Sequence, residues 1–156
     1  MQILLTAAAL ALSFYPPAAS AGELSPKEIY RRAGPAVVLI IGSDQSGKGE
    51  LGTGSIIDSH GRIITNAHVS FDEKTHRPFD TIHVYFKPSR VTGDPKQDLV
   101  NPHKARVMRW DRPIDLALLE LEDSPSGLTV LNFGDAGLME EGDPVVAIGH
   151  PEQGGL

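Results

Sequence analysis

The sequence predicts an all-β chain: a small antiparallel barrel of six to seven strands behind a short N-terminal helix. Turn residues are the first sign. Gly 16 and Pro 12 in 156 residues, with only 6% aromatic, supply breaks between many short elements. Strand length is the second, because the apolar runs meet Gly, Pro or charged turns before they are long enough for a helix. The third is order: one strand pattern follows another without intervening helical segments, which disfavours a parallel βαβ sheet. At 40% hydrophobic and 22% charged, the composition is that of an ordinary globular protein with one main core. A net charge of -6, spread along the chain, leaves no basic surplus for nucleic acid and favours protein or peptide partners. Cysteine is absent, so no disulfide supports the fold.

Residues 1–21 read as an export signal. Residues 1–14 carry no charge, Pro16 and Pro17 break the apolar run, and Ala19-Ser20-Ala21 is a small-x-small cleavage pattern. About 12 uninterrupted apolar residues are too few to span a bilayer, so no stable membrane anchor is expected after cleavage. The expected location is periplasmic or secreted. Residues 22–35 hold the helix: Ser25 caps it, Pro26 takes the first helical position, Glu28 reaches back to the cap, and Gly34-Pro35 stops it.

Residues 36–156 are then the barrel domain. Residues 36–41, AVVLII, are a continuous apolar strand buried on both faces, and residues 44–50 are a polar turn. Residues 52–58 and 62–69 form a hairpin across Ser59-His60-Gly61, and its second strand is expected to deliver His68 at its end. A polar connection, 70–80, leads to strand 81–86, whose alternation puts Ile82, Val84 and Phe86 inside and His83 and Tyr85 outside. Residues 87–102 have no periodicity and read as a long surface loop. Strands are expected at 104–110 and, headed by a carboxylate, at 115–121. A turn follows at 125–127, then a turn-rich loop over 131–142, and a last strand at 144–149, PVVAIG.

Two residues stand where chemistry would need them. A neutral imidazole accepts a proton from a weak nucleophile only when its tautomer and direction are fixed, and a buried carboxylate bonded to the far ring nitrogen fixes both. Asp115, beside Leu116, Leu118 and Leu119, would be costly to bury without a facing donor, and His68 is the candidate donor. Spacing alone leaves other readings open: a strand-start aspartate is commonly a turn residue, and a lone histidine is commonly a surface one. Metal binding is the weaker alternative. His60, His68, His76 and His83 recur every seven or eight residues, but they fall on unlike elements without a His-x-x-x-His pair, and neither a metal nor another cofactor is expected.

The stretch GTGSIIDSHGRIITNAHV, residues 52–69, resembles the trypsin-like serine proteases of the HtrA (Deg) type, whose segment runs from Gly-x-Gly through an apolar strand to Thr-Asn-x-His-Val. The likeness continues at residues 114–119, IDLALL, at Phe133-Gly134-Asp135, and at residues 141–149, EGDPVVAIG. The resemblance implies the N-terminal half of a chymotrypsin-like double barrel, with His68 as general base and Asp115 as its orienting carboxylate. It implies that Gly52 and Gly54 are small so that the chain packs closely beside a cleft, and it leaves assembly into homo-oligomers open. His150-Pro151-Glu152 departs from the family's usual Asn-Pro-Phe.

The family's Gly-[Asn/Asp]-Ser-Gly-Gly nucleophile segment is not in these 156 residues. Asp44-Gln45-Ser46-Gly47 precedes the histidine and lacks the second glycine, and Ser126 fits no better. The expectation is therefore a serine endopeptidase acting on protein substrates, here without its nucleophile and inactive by itself. The alternative is a protease-like module that binds peptide without cleaving it.

Overall fold

The apolar run at the head of the domain forms β1, Val37–Ser43, and its residues 37–40 are buried on both faces, as the continuous pattern requires. A computed structural model describes residues 24–72 and 74–150, so the export signal read at residues 1–21 lies outside the described residues. After β1 come β2 (Gly49–Ile56), β3 (Arg62–Thr65), β4 (Phe71–Asp72), β5 (Arg77–Pro78), β6 (Thr81–Tyr85), β7 (His103–Asp111) and β8 (Leu116–Leu121). Six of these close into an antiparallel barrel in the order β1-β2-β3-β8-β7-β6, and β4 pairs with β5 apart from it. Register is set by the apolar pattern: Ile40 faces Gly52 on one side and Val84 on the other, and Ile63 faces Leu119. Val38, Ile40, Ile56, Ile63, Val84 and Leu119 are fully buried in the core. Each such side chain stabilises the fold by about 1.5–3 kcal/mol relative to exposure.

The hairpin between β2 and β3 turns at Asp58, whose Oδ1 accepts from the amides of His60 (2.9 Å) and Arg62 (3.1 Å). Gly61 takes the left-handed φ of 82° that the turn needs. Helix α1, Pro26–Ala33, starts as expected, with Ser25 Oγ accepting from Glu28 N at 3.2 Å. The Glu28 carboxylate turns to Arg31 and Arg32 rather than back to the cap, because both cations lie one turn along the same face.

Four expectations change. The strand expected over 62–69 ends at Thr65, and residues 67–70 form a helical turn, α2 (Ala67–Ser70), because Val69 must drop onto the barrel wall. Residues 70–80 are not a plain connection but hold β4 and β5, joined by the Asp72 turn. The loop of 87–102 is organised around α3 (Pro95–Asp98) and the buried Asp98 carboxylate, which accepts from the Thr92 and Gly93 amides and the Thr92 hydroxyl. Residues 144–149 form no strand. The closed barrel leaves no edge for them to pair with, and they run exposed to His150, whose amide donates to Thr53 Oγ1 at 2.8 Å.

Candidate active site

Where α2 sits is decided by two glycines. A Cβ on Gly52 would lie 2.3 Å from Val69 Cγ2, and one on Gly42 would lie 2.5 Å from the Val69 carbonyl oxygen. Absence of both side chains lets Val69 settle against β1 and β2 and pins the preceding residue, His68, to the barrel rim. Gly54 serves the core instead, since its Cβ would strike Ile63 and Ile40, so of the two glycines expected beside the cleft only Gly52 supports the histidine.

Asp115 reaches the same place from the other side. It ends the turn between β7 and β8 with a φ of 52°, a left-handed conformation that aspartate tolerates better than most residues, and its amide donates to Arg112 O at 3.0 Å. A register shift in β7 between Val107 and Arg109 increases the twist of the strand that leads into this turn. The carboxylate then meets α2 at three points. His68 Nδ1 lies 2.7 Å from Oδ2, the His68 amide donates to Oδ1 at 3.0 Å, and Asn66 Nδ2 donates to Oδ2 at 3.0 Å. Asn66 Nδ2 also donates to the Asp115 carbonyl oxygen at 3.1 Å.

The structure thus brings together the histidine and aspartate that the sequence nominated, with one change of setting. The carboxylate was expected to be buried, yet the side chains of His68 and Asp115 are 49% and 42% exposed. Both stand on the rim, where the adjacent Ile114 and Leu116 are also exposed. Partial desolvation pushes the Asp115 carboxyl up. The His68 amide, the His68 ring and the Asn66 amide together outweigh it and hold the carboxyl below the usual aspartate range. With Nδ1 committed to Asp115, Nε2 is the ring nitrogen left to exchange a proton.

Arg112 borders the same shallow depression with Ala67, His68 and Asp115, and its Nη1 lies 3.0 Å from His76 Nδ1. Among the described residues no serine hydroxyl bonds the His68 ring: Ser46 Oγ donates to Asp44 at 2.7 Å, and the buried Ser70 donates to Ala67 O. His60 lies in a hairpin turn and His83 in β6, and no three ligating side chains among the described residues converge as a metal site. Sequence reasoning missed Gly42, Asn66 and Arg112. Nothing local marks Asn66, because the N-cap it occupies belongs to a helical turn that the sequence reads as strand.

A closed six-stranded antiparallel barrel with a His–Asp pair on its rim places the molecule in the class of chymotrypsin-like barrels. Within it, the chain belongs to the trypsin-like peptidase domain family, whose model matches residues 52–156. It is 35% identical over 102 residues to a protein of Haemophilus influenzae described as a probable periplasmic serine protease do/HhoA-like, a match covering 65% of this chain and 18% of that protein. Among solved structures, a serine endoprotease from Yersinia pestis superposes with a TM-score of 0.50 at 27% identity, covering 70% of this chain and 33% of the other. The HtrA-type protease AlgW, solved with a tripeptide, shares the fold with a TM-score of 0.58 at 23% identity over 76% of this chain and 33% of its own. The chain therefore spans a third or less of the length of these relatives.

Proposed function

We propose that this barrel is the N-terminal half of an exported, HtrA-related serine endopeptidase and supplies its general base. The observation that carries the reading is the His68 Nδ1 to Asp115 Oδ2 contact of 2.7 Å. In this role His68 Nε2 takes the proton of a serine hydroxyl as the serine oxygen attacks a peptide carbonyl. Asp115 stabilises the resulting imidazolium, which returns the proton to the leaving amine before water hydrolyses the acyl-enzyme. The serine and the donors that stabilise the oxyanion come from a second barrel, and protein chains are the substrates. Family membership supports peptide-bond hydrolysis, and the relative described as periplasmic supports export. Taken alone, these 156 residues are inactive in this reading.

In the enzyme that carries this barrel, His68→Ala lowers kcat on casein by a factor on the order of 10⁶. A variant that keeps turnover removes His68 from the role. The 156-residue chain by itself takes no label from a fluorophosphonate probe, and labelling would contradict the two-barrel reading. An intact enzyme that binds peptide without cleaving it would favour the binding-module alternative.

A further inference from the structure

We infer that Asn66 is a positioning residue that aims the Asp115 carboxylate at the His68 ring. The inference rests on the roles proposed for those two residues. Its ground is an exchange of partners at the start of α2. An asparagine at a helix N-cap ordinarily accepts, through its own side-chain oxygen, one of the unpaired amides of the first turn. Asn66 occupies that position with the expected extended backbone, φ -73° and ψ 146°, and makes no such bond. Asp115, remote in sequence, accepts the His68 amide in its place, while the Asn66 amide group reaches across to Asp115. Asp115 accepts the amide that Asn66 could accept locally, Asn66 donates to Asp115 in return, and the result is a clamp rather than a cap.

The clamp has three donors and one carboxylate. All three donors come from the segment between Asn66 and His68, so the histidine and the group that aims its carboxylate move as one body. Oδ2, the oxygen that faces His68 Nδ1, also receives Asn66 Nδ2, and Oδ1 receives the His68 amide. That pattern fixes rotation of the carboxylate about its last torsion. The second Asn66 bond, to the Asp115 carbonyl oxygen, holds the peptide of a residue in the left-handed region, where the backbone needs support from its neighbours. The amide orientation is unambiguous, because the reversed one would set its oxygen against a carbonyl and a carboxylate oxygen. Without Asn66, Oδ2 keeps only the His68 ring as a partner and is freer to turn to water or to Arg112, the cation bordering the same depression, itself held against His76.

The test is nuclear magnetic resonance of the 156-residue chain with labelled histidine and aspartate, which needs no activity. The unsubstituted chain should show a downfield, slowly exchanging His68 Nδ1 proton. In Asn66→Ala that proton should broaden or vanish and the Asp115 carboxyl should titrate at higher pH, since a hydrogen bond favouring its charged form is gone. Asn66→Asp keeps the size and capping capacity of the residue but replaces the donor with a second carboxylate. It should raise the Asp115 titration further, by about one unit or more. The amide shifts of β1 and β6 serve as the folding control, and if Asn66→Ala fails it, the isosteric Asn66→Asp decides. Variants that lower stability yet leave the Asp115 titration and the Nδ1 proton as they were would overturn the inference. Its failure is distinct from failure of the proposed base role, which would show as retained turnover in His68→Ala while the unsubstituted chain still shows the His68 Nδ1 proton and its loss in Asn66→Ala.

Discussion

Residues 37–40, VVLI, and residues 144–148, PVVAI, are short runs of the same kind of side chain, and they meet opposite fates in this molecule. Val38 and Ile40 are completely buried, whereas Val145 is 78% exposed. Composition does not separate them; available partners do. β1 has β2 on one side along its length and β6 on the other from Leu39 onward, so its backbone groups find ladder partners on both sides, and its side chains fill the barrel. By residue 144 the barrel has closed on itself, and the later run lies along the outside. The strap begins where the Leu131 amide donates to Ile56 O at 2.9 Å and is caught again where His150 meets Thr53. Between these anchors Phe133, Leu138 and Val145 are exposed.

The comparison can be broken by substitution. Ile40→Ala empties the centre of the barrel and should cost about 2–5 kcal/mol by chemical denaturation. A loss under 1 kcal/mol would mean that the core collapses around the gap and that burial there matters less than described. Gly52→Ala should cost about 1–3 kcal/mol, because its methyl group must displace the packed Val69. It should also shift the His68 ring resonances, and unchanged resonances would detach α2 from the glycine wall. Acid reads the loop of 87–102. The Thr92 amide, against the desolvation of the carboxylate and with help from the Thr92 hydroxyl and Gly93 amide, holds the Asp98 carboxyl below the usual range. A lowered folded pKa contributes stability that is present above the unfolded value of about 3.9 and lost as pH falls through the folded value. The Thr92 and Gly93 amide resonances should therefore stay native at neutral pH and collapse below about pH 4, a pH dependence that Asp98→Asn removes. On the strap, Val145→Ala should change stability by less than about 0.5 kcal/mol. A larger loss would show that the strap is packed in solution.

How much was legible beforehand follows the same logic. β1, the hairpin at Asp58-Gly61 and the separate strands β7 and β8 are readable because period and turn chemistry are local signals. The expected strand at 144–149 was not decidable locally, since the vacancy of a sheet edge is a property of the whole barrel. Residues 67–69 read as strand because a single helical turn has too few residues to show a period, and what makes it helical is Val69 docking over Gly42 and Gly52. Residues 87–102 read as a plain surface loop because they show no period, although Asp94-Pro95 is a helix start that local chemistry marks. Of the site, the identities of His68 and Asp115 were legible, and the exposure of their side chains and the service of Asn66 were not. Both depend on which backbone atoms the rim brings together.

The central claim is that Asp115 holds the His68 ring in a working tautomer. The most direct measurement is kcat/KM of the enzyme carrying this barrel after Asp115→Asn, with the fold checked independently. An amide in place of the carboxylate keeps the shape of the site and loses the acceptor pattern, so the account predicts a fall of about 10⁴-fold with an intact fold. Activity within a few-fold of the unsubstituted enzyme would contradict it.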